Sequence, residues 1–126
     1  YPTMELPIQL ALTYPDRLDC ELKPLDFEKL GAIRFLPLER SAFPCYDLAL
    51  RSIEKGDNYP CALNGAGEVA VRAFLDGKLP FLGIAETIEY ALENTERLQA
   101  NEYGALVQTD ERARLLANEF IAKSIK

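Results

Sequence analysis

Leu63-Asn64-Gly65-Ala66-Gly67-Glu68-Val69-Ala70-Val71-Arg72-Ala73-Phe74-Leu75-Asp76-Gly77-Lys78 decides how this chain is read. Gly65, Gly67 and Ala70 spell G-x-G-x-x-A, the spacing of a dinucleotide-binding loop. The same residues also read as an amphipathic helix with Asn64 at its N-cap and Gly77 as its C′ residue. A cofactor loop follows a buried strand and leads, through a helix, to a second parallel strand. Here Pro60 sits in the preceding run and cannot donate to a central sheet ladder. The run Leu79-Pro80-Phe81 that follows is short and again broken by proline. Glu86 and Glu89 lie about 20 residues on, where a ribose-binding acid belongs, but they occupy a helical face. The spacing therefore predicts a helix from about Gly65 to Asp76. Its apolar stripe is Ala66, Val69, Ala70, Ala73 and Phe74.

Three more helices are predicted around it. Pro44 opens one and Gly56 closes it, with Cys45, Leu48, Ala49, Ser52 and Ile53 on one face. A second runs from about Ile84 to Thr95, with Ile84, Ile88, Ala91 and Leu92 inward and Glu86, Glu89 and Glu93 outward. A third starts after Thr109 as N-cap, with Asp110 and Glu111 favouring the helix dipole. Ala113, Leu116, Ala117 and Phe120 are its stripe, and Lys123 and Lys126 lie near its C-terminus. Arg97 to Gln108 has the weakest pattern and reads as a loop. Helices of this length are marginal alone, so their stripes must pack together. The expected fold is mainly α: a four-helix bundle over residues 43–126.

The lead-in differs. Pro2, Pro7, Pro15, Pro24 and Pro37 exclude long helices from it. A short helix from Pro7 to about Thr13 is expected, with Ile8, Ala11 and Leu12 as its apolar face. Leu22 to Leu38 reads as extended or irregular, with one short strand at Ile33–Leu36. This half is an extended proline-rich arm.

Composition narrows function by exclusion. A net charge of −6 argues against a nucleic-acid surface, which needs clustered Lys and Arg. No apolar run approaches the roughly 20 residues that span a bilayer, and the start lacks a signal-peptide pattern. The expected compartment is cytoplasmic; the family resemblance described below implies a plastid-type compartment in a eukaryote. The first residue is Tyr1, so the chain is expected to be a processed or excised piece of something longer. Cys20, Cys45 and Cys61 show no C-x-x-C spacing, and there is no His, which removes a zinc site and the common general base. Glu86, Glu89 and Glu93 read as a solvated face, because hard-cation sites draw ligands from converging elements. Tyr46, Tyr59, Tyr90 and Tyr103 are scattered, and Lys23, Lys29, Arg34 and Arg40 form no dense patch. No catalytic set emerges from the residues alone.

Five ordered blocks carry a resemblance. They are Pro2-Thr3-Met4-Glu5-Leu6-Pro7-Ile8, Ala11-Leu12-Thr13-Tyr14-Pro15-Asp16-Arg17, Lys23-Pro24-Leu25-Asp26-Phe27, Phe43-Pro44-Cys45-Tyr46-Asp47-Leu48-Ala49, and Leu63 to Lys78. Together they resemble the C-terminal third of the 1-deoxy-D-xylulose 5-phosphate reductoisomerase family. Residues 82–126 match only in helical character. The family converts 1-deoxy-D-xylulose 5-phosphate to 2-C-methyl-D-erythritol 4-phosphate in non-mevalonate isoprenoid biosynthesis, using NADPH and a divalent metal (Mg or Mn).

The resemblance implies that residues 1–18 end the central catalytic domain. Residues 19–42 would form the linker and 43–126 the bundle. The partner implied is the remainder of the enzyme, typically a homodimer when full length. Pro2 and Met4 fall at positions that form an apolar wall near the nicotinamide and substrate. No catalytic, cofactor-binding or metal-binding residue carries over, so the chain alone is expected to be structural. An alternative is a free-standing helical interaction module derived from that enzyme. Where the family commonly has Asn-Ala-Ala-Asn-Glu, this chain has Asn64-Gly65-Ala66-Gly67-Glu68, and Ala42 replaces a usual Arg.

A third possibility, a small nucleotide-binding protein built on residues 65–70, has a direct test. Calorimetric titration of the chain with NADPH is expected to give no saturable heat, whereas micromolar binding would restore the cofactor-loop reading.

Overall fold

The computed structural model describes residues 3–124, so the expectations on Pro2 and Lys126 lie outside the described residues. The chain divides into two compact units, Tyr1–Pro37 and Leu38–Lys126.

The first unit contains α1 (Glu5–Thr13) and α2 (Phe27–Leu30). The helix α1 starts two residues before Pro7, where the Thr3 hydroxyl accepts the Glu5 N–H at 3.3 Å. The stripe of Ile8, Ala11 and Leu12 is present, yet α1 has no buried residue. The single turn of α2 was not expected. Asp26 nucleates it by accepting the N–H groups of Glu28 and Lys29 at 3.1 and 3.2 Å. The Lys29 ammonium, 2.9 Å away, holds the Asp26 carboxyl below the usual carboxylate range. Gly31, at φ 67°, ends the turn. The strand expected at Ile33–Leu36 does not form. A strand needs a partner edge to satisfy its backbone groups, and no other strand exists among the described residues.

The second unit consists of α3 (Pro44–Lys55), α4 (Tyr59–Leu75), α5 (Phe81–Glu93) and α6 (Tyr103–Ser124). These are the four bundle helices. The helices α4, α5 and α6 pack against one another, and α3 lies on α4 and α5. Buried Leu48, Ile84, Ile88, Leu92 and Leu116 fill the centre. Each contributes roughly 1.5–3 kcal/mol by leaving water. On α3, Leu48 and Ser52 are buried, while Ile53, expected on the same inward face, is exposed because it lies past the edge of the contact with α4 and α5.

The decisive stretch is helical, but the helix begins six residues earlier than its sequence suggested. Pro60 lies in the first turn of α4, where a missing N–H costs nothing. Asn64 is therefore an interior residue and not a cap, and Gly65 and Gly67 sit in mid-helix. The C-terminal end is as expected. Gly77, at φ 72°, donates to the Phe74 carbonyl at 2.9 Å, and Lys78 donates to the Ala73 carbonyl at 2.8 Å. That pair of bonds is a Schellman motif.

Gly65 explains itself through packing. A Cβ there would lie 2.7 Å from Asp110 Oδ1 and 3.2 Å from the Asp110 carbonyl oxygen on α6. The facing side chains are small: Ala62, Ala66 and Ala70 on α4, with Ala113 and Ala117 on α6, all fully buried. The two backbones approach along a seam of glycine and alanine. At Gly67 the same Cβ would meet only Ile88 Cδ1, at 3.7 Å, an ordinary contact.

The helix α6 also starts early, at Tyr103, and absorbs half of the predicted 97–108 loop. Thr109 is not a cap. Its hydroxyl donates to the Ala105 carbonyl at 2.7 Å and accepts from Asn58 Nδ2 at 3.0 Å. Asn58, only 1% exposed, precedes α4. Its Nδ2 also donates to the Glu96 carbonyl at 2.9 Å, and its Oδ1 accepts the Leu98 N–H at 3.0 Å. One side chain thus joins the start of α4, the 94–102 connection and α6.

Three outcomes follow from this packing. Replacing Asn58 with Ala leaves the Leu98 N–H and Glu96 carbonyl without their partner, and should lower stability in urea by about 2–3 kcal/mol. Gly67→Ala should raise the thermal midpoint by a few degrees, since Ala exceeds Gly in helix propensity by about 1 kcal/mol. Gly65→Ala should lower it, because Asp110 must move. Matching shifts at the two glycines would contradict the close approach.

Candidate functional site

The resemblance placed Pro2 and Met4 in a site wall. Met4 occupies the N-cap position of α1, is 70% exposed, and accepts the Ile8 N–H on its carbonyl at 3.1 Å. Leu6, Pro7, Gln9, Leu10, Thr13, Arg17 and Leu18 line a groove of about 330 Å³. Polar ties join α1 to the chain that follows it. Gln9 Nε2 donates to the Leu18 carbonyl at 3.3 Å and to the Asp19 carbonyl at 3.0 Å. The Thr13 hydroxyl reaches the Asp16 carbonyl at 2.9 Å. Exposed apolar side chains are frequent across this unit: Leu12, Tyr14, Phe27, Ile33, Phe35 and Leu36 are all uncovered.

In the second unit the G-x-G-x-x-A residues lie inside α4, where backbone N–H groups are already bonded one turn back. That backbone has no free N–H groups with which to cradle a pyrophosphate. The three glutamates on α5 do not converge. Glu89 pairs with Arg51 of α3 at 2.8 Å, while Glu86 and Glu93 are exposed. Among the described residues there is no group of three or more His, Cys, Asp or Glu side chains that could hold a metal ion.

The remaining candidates take structural places. The cysteines are free, and burial pushes the Cys45 and Cys61 thiols up. Cys61 also donates to the Leu106 carbonyl at 3.4 Å. Arg40 pairs with Asp47 and lies 5.6 Å over the Tyr46 ring. Tyr59 carries the Lys55 ammonium at 4.5 Å, and Tyr90 stacks near Phe120 at 5.1 Å. Lys29 is occupied by Asp26, whereas Lys23, Arg34 and Tyr103 are exposed.

Sequence reasoning passed over two polar anchors. Asn58 carried a usable signal, an Asn two residues before a proline, which is the order of a helix start. Arg114 carried none. It bridges Asp110 and Glu68, both at 2.7 Å, so it joins α6 to α4 beside Gly65. Asp110 first and Glu68 second hold its guanidinium more firmly protonated than usual.

Residues 1–116 match the family described as DXP reductoisomerase C-terminal domain. The chain is 38% identical to 1-deoxy-D-xylulose 5-phosphate reductoisomerase of Photobacterium profundum, over 97% of this chain and 31% of that protein. It is 40% identical to the corresponding protein of Geobacillus kaustophilus, over 96% of this chain and 32% of the relative. Its fold is similar to the Zymomonas mobilis reductoisomerase solved in complex with NADPH. The TM-score there is 0.82 at 34% identity, covering 96% of this chain and 32% of that one. A DOX-P reductoisomerase solved with fosmidomycin and magnesium gives a TM-score of 0.84 at 30% identity, covering 99% and 33%. The chain spans about a third of the length of the curated relatives it matches. With the match running from residue 1 to residue 116, the chain belongs to the DXP reductoisomerase C-terminal domain family.

Proposed function

We propose that this chain is the C-terminal third of an NADPH-dependent reductoisomerase that converts 1-deoxy-D-xylulose 5-phosphate to 2-C-methyl-D-erythritol 4-phosphate. Residues 1–18 end the catalytic domain, 19–42 cross as a linker, and 43–126 form the bracing bundle. The rest of the enzyme, a cytoplasmic homodimer in this reading, supplies the sites for NADPH and a divalent metal. Reductoisomerases similar to this chain have been solved with NADPH and with magnesium.

The observation that carries the reading is the contrast between the two units. The bundle residues have a continuous core, whereas α1 buries none of its side chains and Phe35 is 91% exposed. A segment with that much uncovered apolar surface acquires its core from protein that surrounds it. Within the whole enzyme, α1 brings Met4 (and Pro2) to the reaction site as an apolar wall. Such a wall excludes water from a hydride transfer and strengthens the electrostatics inside the site. The cofactor supplies the hydride, while this chain's side chains shape and dry one side of the pocket.

The 126 residues alone, assayed with NADPH, substrate and Mn²⁺, should show no turnover, and measurable turnover would sink the reading. In a full-length enzyme ending in this sequence, Met4→Ala should lower kcat/KM by on the order of tenfold, since a wall defect misplaces the reactants.

A further inference from the structure

We propose that Gln9 is a positioning residue that fixes α1, and through it Met4, at the reaction site. The inference rests on the reading of Met4 given above. Packing within the unit constrains α1 only weakly, because none of its side chains is fully buried. Side-chain hydrogen bonds add a directional constraint. Gln9 Nε2 spans the carbonyls of Leu18 and Asp19, at 3.3 and 3.0 Å. A two-point tie from mid-helix to the returning chain opposes both rotation and sliding of α1. The Thr13 hydroxyl adds less, since its one proton is shared between the Gln9 carbonyl at 3.0 Å and the Asp16 carbonyl at 2.9 Å.

Gln9 is mechanically close to Met4. The Ile8 N–H, next in the chain to Gln9, is bonded to the Met4 carbonyl at 3.1 Å. A shift of the Ile8–Gln9 turn therefore carries Met4 with it. Both acceptors are carbonyl oxygens, so the position needs a side chain that donates. Gln provides two N–H donors, and Lys would provide three on a stem of similar reach. Met matches the length and helix preference of Gln but donates nothing.

The test uses full-length reductoisomerase in which this sequence is the C-terminal third. Gln9→Met, Gln9→Lys, Met4→Ala and the Gln9→Met/Met4→Ala double variant are compared with the parent, with rates scaled to the folded fraction. The readouts are kcat and KM for 1-deoxy-D-xylulose 5-phosphate and NADPH. Gln9→Met should lower kcat/KM on the order of fivefold, since displacing a positioned group by about 1 Å is costly. Gln9→Lys should return to within about twofold of the parent. The double variant should be no slower than Met4→Ala, because the tie acts only through Met4. Additive losses, or a Gln9→Lys enzyme as slow as Gln9→Met, would overturn the inference. An inert Met4→Ala would instead overturn the wall itself, and would be recognised by that variant alone.

Discussion

The bundle depends on how near α4 and α6 come to each other. Gly65 has no room for a side chain against Asp110, and alanines line the rest of the contact. Small residues bury little apolar area each. Their value here is that they bring two backbones together and let the larger Ile84, Ile88 and Leu92 of α5 close over the seam. The salt bridges from Arg114 to Asp110 and Glu68 border the same place. Exposed ion pairs of this kind contribute little by themselves, typically about 0–1 kcal/mol. They fix which face of α6 meets α4, and the seam does the packing.

Asn58 sets the other end of that arrangement. Its amide is fully engaged, and no buried side-chain polar atom among the described residues lacks a partner. A buried amide so satisfied specifies one geometry, since any shift of α4 against α6 breaks several bonds together. The 94–102 connection, with little regular structure, takes its path from the same side chain. The two units thus differ in kind. One has a core and an internal polar lock. The other has hydrogen-bonded ties and an uncovered apolar surface.

Much of this was legible from residue order. Pro44 with Gly56, and Gly77 after the alanine stripe, marked helix ends correctly, because capping and left-handed backbone are local properties. Ile84, Ile88, Ala91 and Leu92 were inward as expected, since periodicity reports a helix face directly. The misplaced helix starts share one cause. Asn64 and Thr109 have the chemistry of caps, yet both lie inside helices whose true starts are Tyr59 and Tyr103. Thr109 found its partners in Ala105 and in Asn58, 51 residues away, and the second of these is invisible to any local rule. Ile33–Leu36 had strand-forming residues but no edge to join, and the turn at Phe27–Leu30 followed from an Asp26 cap that the proline pattern obscured.

The site was legible in a narrower sense. Ordered blocks such as Pro2–Ile8 and Phe43–Ala49 carried the family, and the broken strand context around Pro60 dismissed the cofactor loop. By itself, then, the sequence determined most of the inward positions (Ile53 and Phe74, expected inward, are exposed), the helix class of the 63–78 stretch and the family, because each is written in short-range order. Tertiary structure alone decided why Gly65 is glycine, where α4 and α6 begin, and which groups the Asn58 amide joins. Those facts depend on which backbone lies across from a residue, and that is fixed only when distant segments meet.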